Sequence, residues 1–229
     1  MDRFKYFLQK EYFKNNDNKV YYLKCDIRKY FPSINHNILI NNLKKIGFSD
    51  DEFWFINKII NEQPDNLEKG LALGNQSSQW FALYYLDKID RLIKEKLKVK
   101  CYVRYMDDFI LIHRDKKYLQ YCLKEINKVC NEELNLELNQ KTQIGIAYNG
   151  IDFLGFNHIL TNSGKVIRKL RFSSKQRMRK HIKTMRKLKD KSIIDEEYVG
   201  MRINSFKAHL KYSNEKGMDK LLSNLDKKI

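Results

Sequence analysis

The chain of 229 residues is long enough to bury one sizeable hydrophobic core, with room for a smaller appended unit. A hydrophobic content of 42%, an aromatic content of 13% and only two prolines argue against a disordered chain. No apolar run is long enough to cross a bilayer, and the first residues lack a signal-peptide core, so we expect a cytoplasmic protein without membrane contact. The four cysteines show no CxxC spacing and are interpreted as reduced core thiols. They are Cys25, Cys101, Cys122 and Cys130.

Positive charge is concentrated towards the end of the chain. The net charge is +17, and residues 165–229 hold 20 Lys and Arg against 7 Asp and Glu. Residues 1–164 hold 25 against 21 and are close to neutral. A basic segment attached to a near-neutral body predicts binding to a polyanion, with nucleic acid as the leading candidate. A well-solvated helical surface is the alternative.

Apolar periodicity predicts a mixed order of helices and strands. Helices are expected at residues 1–15, 36–47, 50–62, 76–97 and 116–134. Strands are expected at residues 19–27, on both sides of the Asp107–Asp108 pair, and at 142–147, 151–156 and 166–170. The order β-α-β-β-α-β is the ferredoxin-like arrangement, in which two helices back an antiparallel sheet. We therefore predict an α+β fold.

Only helical spacing is present from about residue 174 onward. Four apolar residues recur there at intervals of four, three and four, which is enough for a small bundle. They are Val199, Ile203, Phe206 and Leu210. We predict two domains, a sheet domain with an N-terminal helix at 1–172 and a basic helical domain at 173–229.

Two adjacent carboxylates, Asp107 and Asp108, interrupt the apolar stretch KCYVRYMDDFILIH. Like charges repel and a buried carboxylate is costly, so the pair is either a solvated turn or a ligand of a strong cation. In the predicted topology the first strand lies beside this hairpin and brings Asp26, at its end, towards the tip. Three converging carboxylates suit Mg²⁺, because the ion prefers oxygen ligands and its charge removes the repulsion. Two such ions, roughly 3.5–4 Å apart, are the arrangement used for in-line phosphoryl transfer.

Several stretches in order resemble the motifs of reverse transcriptases. YMDD between two apolar strands resembles their catalytic hairpin, and CDIRKYFPSI resembles their first palm motif. GLALGNQSSQ, LNQKT and FLGF resemble the motifs that follow, and RINSFKAHLKYSNEKGMDKLL resembles the short thumb of bacterial members. The GNQSSQ form is most similar to reverse transcriptases of diversity-generating retroelements. The resemblance implies an RNA-directed DNA polymerase with a palm at 1–172 and a thumb at 173–229.

The resemblance also implies the catalytic residues. Asp26, Asp107 and Asp108, with the backbone carbonyl of Ile27, would bind two Mg²⁺ ions, for which Mn²⁺ can substitute. Lys141 matches the lysine proposed in the family to protonate the leaving pyrophosphate. An ordinary surface lysine is the alternative interpretation of Lys141.

Four further residues would contact the dNTP or the template. Phe31 would be the steric gate that excludes a ribose 2′-hydroxyl, with a core aromatic as the alternative. Leu73 and Gly74 would lie under the incoming nucleotide, where glycine allows close approach of the backbone. Leu73 stands where accurate relatives have a hydrogen-bonding glutamine, so we expect an error-prone enzyme. Gln79 would hydrogen-bond the substrate or template, or would be only a polar residue near a helix start.

An RNA template and a DNA or RNA primer are the implied partners, bound mainly through phosphate contacts that depend on salt rather than on sequence. A small basic accessory protein is implied for the suspected retroelement type. Seven basic residues are the expected nucleic-acid contacts. They are Lys175, Arg177, Arg179, Lys180, Lys183, Arg186 and Lys187.

Two features depart from the family pattern. Ala72 stands where the loop motif usually has proline. Only 25 residues precede Asp26, enough for one helix, so we expect the fingers domain to be missing and nucleotide affinity to be reduced. A polymerase-like module that binds nucleic acid or a protein without catalysis is therefore the alternative function. A metal-dependent nuclease ranks last, because no His or Glu directly flanks YMDD in the sequence to act as its base.

Overall fold

The computed structural model describes residues 2–14, 17, 19–61 and 68–213. The helices are α1 (Asp2–Phe13), α2 (Tyr30–Ser33), α3 (His36–Lys44), α4 (Asp50–Asn61), α5 (Gln76–Tyr85), α6 (Asp87–Arg91), α7 (Lys116–Glu133), α8 (Phe172–Asp190) and α9 (Glu196–Leu210). The strands are β1 (Tyr21–Asp26), β2 (Cys101–Tyr105), β3 (Asp108–His113), β4 (Gln143–Ile146), β5 (Ile151–Phe153), β6 (Phe156–Leu160) and β7 (Val166–Leu170). The prediction of a mixed protein with antiparallel sheets is confirmed.

The chain divides into two compact units. One is Lys19–Gly145, and the other combines Met1–Asn18 with Ile146–Ile229. The predicted helical segment beyond residue 213 lies outside the described residues. Within the part that is described, no helix is both long and apolar enough to cross a membrane.

Helix α7 shows how sequence signals set the boundaries of a helix. The Asp115 side chain caps its N-terminus by accepting hydrogen bonds from the backbone N–H groups of Lys117 at 2.8 Å and Tyr118 at 3.3 Å. Its buried residues recur at helical spacing along one face. They are Leu119, Cys122, Ile126 and Cys130. The helix predicted at 116–134 is confirmed.

The single helix predicted at 76–97 is wrong. The backbone leaves the helical region at Leu86 (φ −90°, ψ 1°), which separates α5 from α6, and Leu92–Lys96 then winds as a π-helix. Tyr85, Leu86 and Ile93 are nevertheless all fully buried. Apolar periodicity records which side of a segment is buried, and that side continues through the break, so the pattern could not reveal it.

The sheet of the 19–145 unit has the strand order β2-β3-β1-β4. β1 therefore lies between β3 and β4. Leu23 and Cys25 of β1 and Phe109 of β3 point into the core that α7 covers. Because side chains alternate along a strand, Lys24, Asp26 and Asp108 lie on the other face.

All four cysteines are free and buried, which confirms their interpretation as reduced core thiols.

The other unit contains a three-stranded antiparallel sheet, β5-β6-β7. Residues predicted as one strand at 151–156 form the β5–β6 hairpin instead. Its two turn residues, Leu154 (φ 49°) and Gly155 (φ 83°), both have positive φ, which suits the twist of a two-residue hairpin. Phe4 of α1 packs on this sheet, with its ring centroid 5.2 Å from that of Phe153 and 4.9 Å from that of His158.

Helices α8 and α9 belong to the hydrophobic cluster of the same unit. Met178 and Ile182 of α8 and Ile203 of α9 lie in one buried cluster with Phe156 and Leu170 of the strands. The apolar face of α8 is narrow, since most of the remaining residues of the helix are basic or polar.

His158 should make this unit sensitive to acid. Burial, with the nearby Arg168 guanidinium as the second cause, lowers the pKa of His158 to about 4, against an ordinary value of 6.5. As the pH falls, His158 therefore takes up a proton in the unfolded chain before it does so in the folded protein. The contribution to stability is complete above pH 6.5 and is lost as the pH falls to about 4, a loss of about 2–3 kcal/mol. Urea unfolding across this pH range measures it.

Carboxyl groups also titrate in that range, so His158→Phe is the control. In the variant, the slope of unfolding free energy against pH should be shallower by the equivalent of close to one bound proton. Identical slopes in the two proteins would contradict the assignment.

Candidate active site

The end of β1 and the start of β3 bring two carboxylates face to face. Asp26 is the direct cross-strand partner of Asp108. On its other side, the Asp26 carbonyl accepts a hydrogen bond from Asn139 N at 2.7 Å. The N–H and C=O groups of one strand residue point to the same side of the strand, so the backbone groups of Asp26 point away from Asp108. Asp26 and Asp108 therefore form a non-hydrogen-bonded pair. In such pairs the Cα atoms lie about 4.5 Å apart and the side chains are close.

This pairing is electrostatically unfavourable by itself, because like charges directly opposite one another destabilise a sheet. Burial raises the pKa of Asp108, the negative charges of Asp26 and Asp107 raise it further, and Lys24 opposes the rise. Lys24 Nζ lies 3.1 Å from Asp108 Oδ2. Asp108 Oδ1 is buried and has no hydrogen-bond partner among the described residues. The site thus holds negative charge that the protein neutralises only in part.

Asp107 occupies the two-residue turn that joins β2 to β3. Burial raises the pKa of its carboxyl, and Asp26 contributes to that rise through its charge. The preceding residue, Met106, has a left-handed backbone with φ 54°, which is uncommon for a residue with a side chain. The three carboxylates predicted from the sequence therefore act on one another electrostatically.

Within the described ranges, no group of three or more His, Cys, Asp and Glu side chains stands ready to hold a metal ion. The ion pair with Lys24 directs one oxygen of Asp108 towards an ammonium group.

The backbone of Ile27 is oriented towards β3. Ile27 forms a bridge with Leu138, but the hydrogen bonds of this bridge come from the flanking residues, including Arg28 N to Glu137 O at 2.9 Å. The Ile27 carbonyl therefore points away from Leu138, to the side where the hairpin lies. Its side chain is buried in the core.

Backbone hydrogen bonds hold the predicted nucleotide loop next to α2. Leu71 N donates to the Phe31 carbonyl at 3.1 Å, and Gly70 N donates to the Ile34 carbonyl at 2.8 Å. Phe31 is partly buried beside the core, with its ring centroid 5.8 Å from that of Tyr30. These hydrogen bonds thus fix the start of the loop that carries Leu73 and Gly74 against the segment that follows Asp26.

The residues predicted to lie under a nucleotide are open to solvent. Leu73 is 79% exposed, and Gly74 has φ 89°, a conformation that favours glycine. Asn75 then caps α5 by accepting a hydrogen bond from Ser77 N at 3.2 Å. Gln79 is exposed one turn into this helix.

Lys141 lies in an exposed turn that is linked to the end of β1. Its backbone N donates to Asn139 Oδ1 at 3.1 Å, and Asn139 N in turn donates to the Asp26 carbonyl. The sequence motif LNQKT therefore places Lys141 two residues from a direct partner of Asp26.

The seven predicted nucleic-acid contacts all lie on α8. Met178, Ile182 and Met185 form its buried face, while Lys175 is half-buried and the other six basic side chains are exposed. The helix therefore presents a broad cationic surface.

The comparisons with known proteins agree with this geometry. A family model described as "Reverse transcriptase (RNA-dependent DNA polymerase)" matches residues 2–158, more than half of the chain. This chain belongs to the reverse transcriptase family. The predicted family is confirmed, whereas the diversity-generating type and the expected absence of fingers stay predictions. Among curated proteins, no match to the chain was found.

Solved telomerases resemble this chain in fold. Apo telomerase from Candida tropicalis, truncated from the C-terminal domain, aligns with a TM-score of 0.58 and 18% identity, over 73% of this chain and 39% of its own. Telomerase from Candida albicans in complex with a TWJ fragment of telomeric RNA aligns with a TM-score of 0.56 and 13% identity, over 73% and 33%. This chain therefore spans less than two fifths of those telomerase chains.

Sequence reasoning missed two residues of this candidate site. Lys24 lies two positions before Asp26, and strand periodicity could have placed both on one face. Arg104 is a charged residue inside an apolar strand, which is a signal in itself. Asp90, the ion-pair partner of Arg104, gave no such signal, because the position of its helix relative to β2 is defined only by the fold.

Removing the Lys24 charge should destabilise the metal-free protein. Lys24→Met leaves the partly buried Asp108 facing Asp26 without a counter-charge, and we expect a loss of about 1–3 kcal/mol in unfolding free energy at pH 7. Adding Asp108→Asn should restore most of it. Urea unfolding of the two variants measures both effects.

Lys88→Met is the matched control, because Lys88 forms an ion pair with Glu133 in which both side chains are more than 40% exposed. Such pairs contribute little. A Lys24→Met loss no larger than that of the control would contradict the interpretation.

Proposed function

We propose that this chain carries the catalytic part of an RNA-directed DNA polymerase, which transfers nucleotides from dNTPs to the 3′-hydroxyl of a primer. The observation that carries the proposal is the cross-strand pairing of Asp26 with Asp108 beside Asp107 in the hairpin turn. The family match supports the reaction class.

The ferredoxin-like palm is part of the proposal. The strand order β2-β3-β1-β4 supports it, since the first strand lies between the third and fourth in that topology. The assignment of a palm to 1–172 and a thumb to 173–229 remains a prediction.

The residues present fit a magnesium site. Asp108 Oδ1 is a buried carboxylate oxygen without a partner among the described residues, and every proposed ligand is an oxygen, as Mg²⁺ prefers. Asp26, Asp107, Asp108 and the Ile27 carbonyl would hold two ions. When bound, they supply activation of the 3′-hydroxyl and neutralise charge on the triphosphate. Lys141 would donate a proton to the leaving pyrophosphate.

Nucleotide selection is proposed for the loop beside α2. Phe31 would exclude the 2′-hydroxyl, and its partial burial against Tyr30 would hold the ring in place. Leu73, Gly74 and Gln79 are accessible to a nucleotide and template base. Leu73 offers no hydrogen bond, which is the basis for proposing low fidelity.

The exposed cations of α8 support binding of an RNA template and its primer through phosphates. One similar structure, the Candida albicans telomerase, is described with a bound RNA fragment, which supports the choice of RNA. The small basic accessory protein rests on the retroelement resemblance alone.

A non-catalytic nucleic-acid-binding module is the second candidate. The ion pair of Lys24 with Asp108 favours it, because an ammonium group already occupies one side of a proposed metal ligand. Primer extension separates the two functions.

Asp26→Asn and Asp107→Asn should each lower primer extension with Mg²⁺ and dNTPs by at least about 10³-fold, because each removes a charged ligand. Affinity for the template–primer without Mg²⁺ should not fall. Asp51→Asn, on the exposed first turn of α4, is the matched control. Wild-type protein that binds the template–primer but extends nothing would favour the binding module.

Template binding should depend on α8. Replacing Arg179, Lys183 and Arg186 by Gln should reduce the slope of log K against log salt by about 2–3, since each lost phosphate contact removes about 0.7–0.9. Fluorescence anisotropy over a range of salt concentrations measures the slope. Lys117, Lys124 and Lys128, exposed on α7, form the charge-matched control triple. An equal reduction in the control would contradict a specific role for α8.

A further inference from the structure

A buried arginine contacts the turn that carries Asp107. Arg104, on β2, donates from Nε to Asp90 Oδ1 at 2.9 Å and from Nη2 to Asp90 Oδ2, so the guanidinium and carboxylate form a two-pronged ion pair. From Nη1 it donates to the Met106 carbonyl at 3.1 Å. One arginine thus joins helix α6 to the backbone of the turn.

The same guanidinium reaches the helix on the other side of the break at Leu86. Nη2 also donates to the Leu83 carbonyl at 3.4 Å, which belongs to the last turn of α5 and lacks a regular partner within that helix. Tyr102 Oη holds Asp90 in place by donating to Oδ1 at 2.6 Å. Arg104 therefore links the turn to two helices at once.

These contacts leave Arg104 poorly placed to bind nucleic acid. Its side chain is only 13% exposed, and that of Asp90 is 28% exposed. Four of its five N–H groups donate to the protein. Most of its hydrogen-bonding capacity is therefore used within the protein.

The turn needs such support. Met106 has φ 54°, and a residue with a side chain stays in this conformation only when its surroundings hold it there. The Met106 carbonyl is the backbone group immediately before Asp107. Fixing that carbonyl restricts the peptide plane that leads into Asp107.

We propose that Arg104, braced by Asp90, is a positioning residue that holds the Met106–Asp107 turn in the geometry required for nucleotide transfer. This inference rests on the proposed polymerase function. Arg104 acts on the reaction through the backbone of the turn and does not touch the substrate. Lysine cannot replace it, since a single ammonium group cannot reproduce the planar fork that serves Asp90, Met106 and Leu83 together.

The test uses Arg104→Lys and the milder, nearly isosteric Asp90→Asn. Arg91→Lys and Asp87→Asn are the matched controls. Arg91 and Asp87 form an exposed ion pair on α6, the helix that carries Asp90, with Arg91 Nε 2.7 Å from Asp87 Oδ2. We expect Arg104→Lys to lower kcat for primer extension about 10–100-fold with little change in KM for dNTP, as for a misplaced catalytic group. The controls should retain wild-type kcat.

A second readout does not depend on activity. Methyl-labelled methionine gives NMR signals for the six methionines, and Met106→Leu identifies the Met106 signal. In Arg104→Lys and Asp90→Asn this signal should shift or broaden, while those of Met178 and Met185 on α8 stay unchanged. If Arg104→Lys fails to fold, Asp90→Asn carries the same test.

The outcomes are distinct. A moved Met106 signal with lowered kcat supports the proposal, and an unmoved signal overturns it whatever the activity. An unchanged kcat per folded molecule also overturns it, because the brace would then be structural only. If the wild-type protein extends no primer, the polymerase function fails, and the Met106 signal alone decides whether Arg104 holds the turn.

Discussion

The antiparallel pairing of β1 with β3 is the constraint on which the proposed site depends. It sets two carboxylates, Asp26 and Asp108, directly opposite one another in a pair whose backbone hydrogen bonds point elsewhere. Like charges in such a pair oppose folding. Lys24 offsets part of this repulsion, while the other Asp108 oxygen has no hydrogen-bond partner in the described part of the chain. The fold thus keeps negative charge concentrated where β1 ends and β3 begins.

Main-chain hydrogen bonds, rather than particular side chains, assemble the surroundings of that site. Asn139 binds the Asp26 carbonyl, and Leu71 and Gly70 bind carbonyls of the α2 region, each through its own backbone N–H. Such contacts tolerate many side chains. This tolerance gives a physical reason why the fold can match that of telomerases at 13–18% sequence identity. Arg104 is different, because its contacts require a guanidinium.

Helix α8 shows how the basic part of the chain reconciles charge with folding. Three apolar residues, Met178, Ile182 and Met185, bury one narrow face, and the basic residues remain in solvent, where their charge costs little. Stability and the proposed phosphate binding therefore depend on different faces. Charge on the exposed face can change without disturbing the cluster around Phe156.

The sequence by itself determined most of the local elements and the family, because alternation and helical spacing are short-range signals. It also led to Asp26, Asp107 and Asp108 through their position at strand ends. Only the tertiary structure decided the break at Leu86, the ion pair of Lys24 with Asp108, and the contact of Arg104 with Asp90 and the hairpin turn. These features join residues from different elements, and their geometry follows from how the elements pack, which no local pattern encodes.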